Sequence, residues 1–191
     1  MTRLAALLIL LAPAAAAGPL DQAALSARLQ AEGQAQQDPL LLIAAARLRK
    51  SAGFAPDGPL PMGWQVMLDQ ATALAGDDPA LLALIEDTAA ETMKGVATGP
   101  VTRLDDLAPG TTDRFPALEI AADQRTEVYV EPQAATDLNL TIRDASGTLL
   151  CADTDPDPIA YCAWTQAGPA SVTIEVSNAG PAPTPYALMT N

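Results

Sequence analysis

Apolar residues change their spacing once along this chain, near residue 100, and that change constrains its fold more than any other feature. Between Asp21 and Gly95 they recur every three or four residues, in runs cut by Gly and Pro, which is the period of helices packed by one face. Beyond Thr112, short β-type runs alternate with turn residues. An α+β chain in two parts is predicted: an α-helical domain over 18–97, a linker over 98–112 and a β-sandwich over 113–191. Aromatics are only 4% of the 191 residues, so both cores must rest on Leu, Ala, Val and Ile.

Four helices are expected. The first spans Asp21–Glu32, with Asp21 as N-cap, Leu25 and Leu29 on its inward face, and Gly33 as its stop. The second opens at Asp38 with Pro39 at the first helical position, buries Leu40–Leu48 and closes at Gly53. Trp64, Met67, Leu68, Ala71, Leu74 and Ala75 form the stripe of a third, ending at Gly76; Asp78 and Pro79 open a fourth, carrying Leu81, Leu82, Ile85, Ala89 and Met93 and closing at Gly95. The Asp-Pro-x-Leu-Leu opening recurs 40 residues apart, at Asp38 and Asp78. That period fits a stacked α-helical hairpin repeat, and a four-helix bundle is the alternative. The proline-rich Phe54–Gly63 segment reads as a surface connection.

Seven strands are read in the second part: Asp113–Ile120, Thr126–Val130, Asp137–Ile142, Thr148–Cys151, Ile159–Thr165, Ser171–Val176 and Tyr186–Met189. In order, the segments DRFPALEI, TEVYVEP, TDLNLTIRDASGTLLCAD, AGPASVTIEV and TPYALMT resemble the bacterial pre-peptidase C-terminal domain, over Asp113–Asn191. The most specific part is D-L-x-L-x-I-x-D-x-x-G from Asp137 to Gly147. Asn139 stands where the family has the second Asp of D-L-D-L, and Gly168 is followed by Pro169 and Ala170 where the family has A-G-T-Y. The resemblance implies a jelly-roll-like sandwich and an extracytoplasmic setting. It also implies Asp137 and Asp144 as the acids corresponding to those with which some members bind calcium.

The opening MTRLAALLILLAPAAAAGP has a basic residue, a short apolar run and small residues with Ala15 and Ala17 in the A-x-A positions, the pattern of a signal peptide over 1–17 cleaved before Gly18. A periplasmic or secreted chain follows, with no transmembrane segment in its mature form. The formal charge of −13 makes nucleic acid and anionic membrane surfaces unfavourable partners. The chain has no histidine, which excludes Ser-His-Asp and Cys-His catalysis and His-ligated zinc.

Cys151 and Cys162, the only cysteines, are expected to form a disulfide across an antiparallel hairpin. Between them Asp153, Asp155 and Asp157 place carboxylates at alternate positions, a weak candidate set for calcium; Pro158 and Trp164 stand where an EF-hand needs Gly and Glu. Adjacent acids such as Asp77 with Asp78 project to different faces and read as solvated surface, and no serine lies in a nucleophile motif. No catalytic residue and no cofactor beyond calcium is expected. The resulting expectation is an exported, non-catalytic protein-interaction or accessory module of the cell envelope with a protein or peptide partner. The alternatives are an enzyme component of the hydrolase or peptidase-associated class and a calcium-stabilised structural protein.

Overall fold

The structure is a computed structural model that describes residues 18–55, 63–91 and 101–191. The expected leader over 1–17, most of the proline-rich connection and the expected helix end at Gly95 lie outside the described residues. Four helices precede eight strands: α1 (Pro19–Gln36), α2 (Pro39–Ser51), α3 (Trp64–Ala75) and α4 (Pro79–Ala90), then β1 (Val101–Leu107), β2 (Thr112–Ile120), β3 (Arg125–Pro132), β4 (Leu138–Asp144), β5 (Leu149–Asp153), β6 (Ala160–Thr165), β7 (Ala170–Asn178) and β8 (Thr184–Thr190).

The Asp-Pro openings do what their chemistry dictates. Asp38 Oδ1 accepts from the Leu40 N–H at 2.8 Å, and Asp78 Oδ1 accepts from Ala80 and Leu81 at 2.9 and 3.2 Å, satisfying helix N–H groups that have no intrahelical partner. Each helix packs on its successor, and α4 also touches α2. The helical core joins Leu42, Ile43, Ala45 and Ala46 of α2 to Met67, Leu68 and Ala71 of α3, with Leu29, Trp64, Leu74 and Ile85 around it.

The first helix departs from expectation. It begins at Pro19 with Gly18 as N-cap and continues past Gly33 to Gln36. Gly33 is a contact residue and not a stop: a Cβ there would meet Leu42 Cγ at 3.0 Å, so its bareness lets α1 and α2 approach closely. Leu25 is 49% exposed. The inward row is Leu20 with the small Ala23, Ala24 and Ala27, which together seat α1 on the β part.

The strands form two four-stranded antiparallel sheets, ordered β1-β8-β3-β6 and β2-β7-β4-β5. Pairing is nested, β4 with β5, β3 with β6, β2 with β7 and β1 with β8, as if one long hairpin were rolled up. That is the strand order of a jelly roll. Val128, Val130, Tyr186 and Leu188 of the first sheet face Leu138, Leu140, Ile142, Val172, Ile174 and Val176 of the second across one core.

Two corrections concern this part. Residues 101–107, assigned to the linker, form β1 and complete the first sheet, so the sandwich starts before residue 113 and has eight strands. As an edge strand β1 lacks the alternation that marks a half-buried one: Arg103, Leu104 and Asp106 are all exposed. The cysteine-bearing strands do not form a hairpin with each other. β5 pairs with β4 in one sheet and β6 with β3 in the other.

Candidate functional site

The helical part and the sandwich meet along the outer face of β3, where alternation puts Glu127, Tyr129 and Glu131 on one side and Val128 and Val130 on the other. The valines fill the sandwich core. Tyr129, with Ala187 and Met189 of β8 and Ile159, packs under Leu20, Ala23, Ala24 and Ala27 of α1. Both faces of β3 are therefore buried: Glu127 has no exposed surface, and Glu131 keeps 5% where it borders a cleft.

Arg49 answers one of them. Leu42, Ala45, Ala46 and Arg49 lie on a single stripe of α2, so the guanidinium is carried inward with the apolar residues. It has no exposed surface, and its Nη1 donates to Glu131 Oε2 at 2.7 Å. Nε donates to Ser26 Oγ at 3.2 Å and Nη2 to the Ala23 carbonyl at 3.4 Å, while the Ser26 hydroxyl donates to the Ala45 carbonyl at 2.7 Å. Tyr129 OH donates to the same Glu131 oxygen at 2.8 Å. One buried network thus ties α1, α2 and β3. Burial opposes the charge on Arg49, but Tyr129 and Glu131 outweigh it and hold the guanidinium above its ordinary value.

Glu127 lies nearer the start of α1. Its Oε1 accepts from Tyr161 OH at 2.8 Å and from Arg125 Nε at 3.2 Å, and its Oε2 accepts from the Leu20 N–H at 3.4 Å. Beside Glu131 a shallow cleft of about 320 Å³ opens between α1 and the sandwich, lined in part by Gln30, Gln34, Gln70 and Ile159. Gln30 and Gln34 both donate to Gln70 Oε1, at 3.1 and 3.0 Å. None of these residues was singled out from the sequence. A signal was present: Arg49 on an otherwise apolar stripe, and Glu-x-Tyr-x-Glu facing away from two valines.

Helix α4 presents a different surface. Leu81, Ile85 and Thr88 form its inward row, and Thr88 is its one buried residue. Lys50 fixes its end by donating to the Thr88 and Ala89 carbonyls at 2.9 and 2.7 Å, with the ammonium 4.3 Å from the Trp64 ring centroid. Leu82 and Leu84, on either flank of the inward row, stay 37% and 39% exposed.

The residues expected to carry chemistry are placed as follows. Cys151 and Cys162 are bonded, joining β5 of one sheet to β6 of the other. Asp153, Asp155 and Asp157 do not converge, and among the described residues no three His, Cys, Asp or Glu side chains form a group that could hold a metal ion. Asp153 accepts from the Tyr161 and Asp155 N–H groups, and Asp157 lies 3.7 Å from Arg28 of α1. Asp137 and Asp144 flank opposite ends of β4, about 20 Å apart. Asp144 holds the turn before β5, accepting from Ser146 Oγ and the Ser146 and Thr148 N–H groups, which keeps its carboxyl below the usual range. Gly147 completes that turn at φ 85°, a conformation open to glycine. Trp64 packs at the helical core and Trp164 against the sandwich core.

All three tyrosines are held in the neutral form. Burial is the first cause in each case, followed by Glu131 at Tyr129 and by hydrogen bonds to Glu127 at Tyr161 and to Asp113 at Tyr186, and all three hydroxyls are pushed above the ordinary 10.0. Since the folded values are raised, the stability these groups contribute is complete below pH 10 and is lost as the pH climbs and the unfolded chain ionises first. An absorbance titration should show no tyrosinate while the protein is folded near pH 10, then one cooperative rise coincident with loss of circular dichroism. Independent phenols ionising near pH 10 in an intact fold would contradict this.

No family model matches the chain, and no curated protein matches it by sequence. Among solved structures it is similar to the pre-peptidase C-terminal domain of a collagenase from Bacillus anthracis, with TM-score 0.41 and 12% identity over 48% of this chain and 89% of that one. It is also similar to PliG of Aeromonas hydrophila, a periplasmic inhibitor of g-type lysozyme, with TM-score 0.37 and 12% identity over 53% of this chain and 90% of that one. No residue role is carried over from either. No helix among the described residues is long and apolar enough to cross a membrane.

Proposed function

We infer that the chain is an exported, non-catalytic interaction module of the cell envelope, which presents its helical part to a protein or peptide partner while the sandwich serves as a rigid base. The observation that carries this reading is the broad apolar face of α4, which the described residues cover only along its central row, with Leu82 and Leu84 exposed on both flanks. Solvent-exposed leucines paired on one short helix are a common anchor for a partner. Leu40 at the start of α2 and Val66 in α3 add exposed apolar surface to the same helical part. The carboxylates buried at the seam support a structural role, since Glu131 and Glu127 are engaged by Arg49, Tyr129, Tyr161 and Arg125. Export rests on the leader pattern over 1–17 and agrees with a chain whose cysteines are both disulfide-bonded.

Photo-reactive residues placed at Leu82 and Leu84 should give a discrete cross-linked product in the envelope. One placed at Leu149, an exposed leucine of the sandwich, should give none. Leu82→Asp with Leu84→Asp should abolish partner capture and leave the melting temperature within about 2 °C of the parent, because flank residues contribute little to the core. Capture that survives the double substitution, or equal cross-linking from Leu149, would overturn the assignment of this face.

A further inference from the structure

We propose that the α-amino group freed at Gly18 when residues 1–17 are removed is received by the buried Glu127 carboxylate, so that processing completes the seam between α1 and the sandwich. The proposal rests on the export reading and adds to it a consequence inside the fold.

Helix α1 starts with a residue that cannot cap it. Gly18 is the N-cap and supplies no side-chain hydrogen bond, although its carbonyl accepts the first helical bond, from Gln22 at 3.0 Å. Glu127 arrives from β3 in the place of a capping side chain. A carboxylate has room for about four donors. Among the described residues Oε1 has two, Tyr161 OH and Arg125 Nε, while Oε2 has only the long Leu20 N–H contact at 3.4 Å. Glu127 has no exposed surface, so water does not make up the difference. Its Arg125 partner is half-exposed, and that guanidinium is shared with Tyr161 OH at 3.2 Å.

Gly18 lies against this under-served oxygen. A Cβ built at Gly18 would overlap both Glu127 carboxylate oxygens. Covalent geometry then keeps the Gly18 nitrogen within about 5 Å of the carboxylate. In the uncleaved chain that nitrogen is a neutral amide with one hydrogen. After hydrolysis of the Ala17–Gly18 bond, in which water supplies OH to the Ala17 carbonyl and a proton to the departing amine, and the amine takes up the proton that the new carboxyl group releases, it is an ammonium with three donors, charged at neutral pH. The N-terminal end of a helix disfavours a positive charge. A buried carboxylate in contact range is the group that reverses this preference, and Asp21 in the first turn adds to the negative charge there. The groups facing the amine are then Glu127 and Arg125 from β3, Tyr161 from β6 and Asp21 from α1. Glycine is also the residue the cradle admits, because any Cβ would displace the carboxylate.

Three forms of the protein test this: one released from a fusion with Gly18 as first residue, the same chain acetylated at its α-amine, and one that keeps Ala17. The acetylated and Ala17-extended forms should each melt roughly 4–8 °C lower, and acetylation should change nothing in a Glu127→Gln background. If Glu127→Gln does not fold, the comparison of the three parent forms decides. Three forms melting alike would overturn the pairing. Separately, the intact mass of the protein recovered from the envelope should place Gly18 first. A different first residue would overturn the processing reading, and the proposal with it, whatever the melts show.

Discussion

Arg49→Met should destabilise the protein by about 3–5 kcal/mol, read as a shift in the urea unfolding midpoint at unchanged slope. The size of the effect comes from what is left behind. Glu131 would remain buried with its guanidinium partner gone, and Ser26 and the Ala23 carbonyl would each lose a donor. The converse experiment separates pairing from mere packing. In Arg49→Met with Glu131→Leu and Tyr129→Phe, no charge or hydroxyl of the network is orphaned, and most of the lost stability should return, because a buried ion pair can often be exchanged for apolar side chains of similar volume. A loss below about 1 kcal/mol for the single substitution would mean that water reaches Glu131 and that the seam is not closed as described.

Breaking the Cys151–Cys162 bond should be the other large effect. The bridge closes a loop with a sequence separation of 11, for which the chain-entropy estimate is about 3 kcal/mol, or a fall in melting temperature of roughly 6–12 °C for a chain of this length. Its position makes that loss a local one. β5 is hydrogen-bonded only to β4 and β6 only to β3, each at the edge of its own sheet, so the bond is the covalent link between two edges that share no ladder. Reduction should therefore raise hydrogen exchange first in β5 and β6 and leave β7 and β8 protected. Equal melting of the oxidised protein and the Cys151→Ser, Cys162→Ser variant would refute the estimate.

What could be read from residues alone was whatever is decided within a few positions of the chain. The caps at Asp38 and Asp78, the turn from Asp144 to Gly147 and the apolar stripe of α3 are local chemistry, and they stand in the structure where the pattern puts them, whereas Leu40 of α2 and Leu82 of α4, both expected to face inward, are exposed. The jelly-roll character rested on a resemblance, and the nested strand order agrees with it. Features settled by distant partners were misread. Leucine outranks alanine in hydrophobicity, which points to Leu25 as inward-facing, yet close approach to Tyr129 and Ala187 selects the alanine row of α1. β1 carries no pattern because its order comes from β8, at the far end of the chain. The assignment of β5 and β6 to different sheets is likewise a property of the rolled topology and not of the intervening loop. The candidate site was the least legible part. Glu127, Glu131 and Arg49 are ordinary surface residue types, and their roles emerge only when α1 and α2 are placed against β3.

The nested pairing also bears on the order of events as the chain emerges. The seat of α1 contains Tyr129 from the third strand, Ile159 just before the sixth, and Ala187 and Met189 from the eighth. The first of the four helices has no place to sit until β8 has followed it. During that interval the helical segment must persist on its own, with its alanine row and Arg49 still in water. Docking of α1 is then an assembly step that waits for β8, and loss of that strand would leave the first helix without its seat.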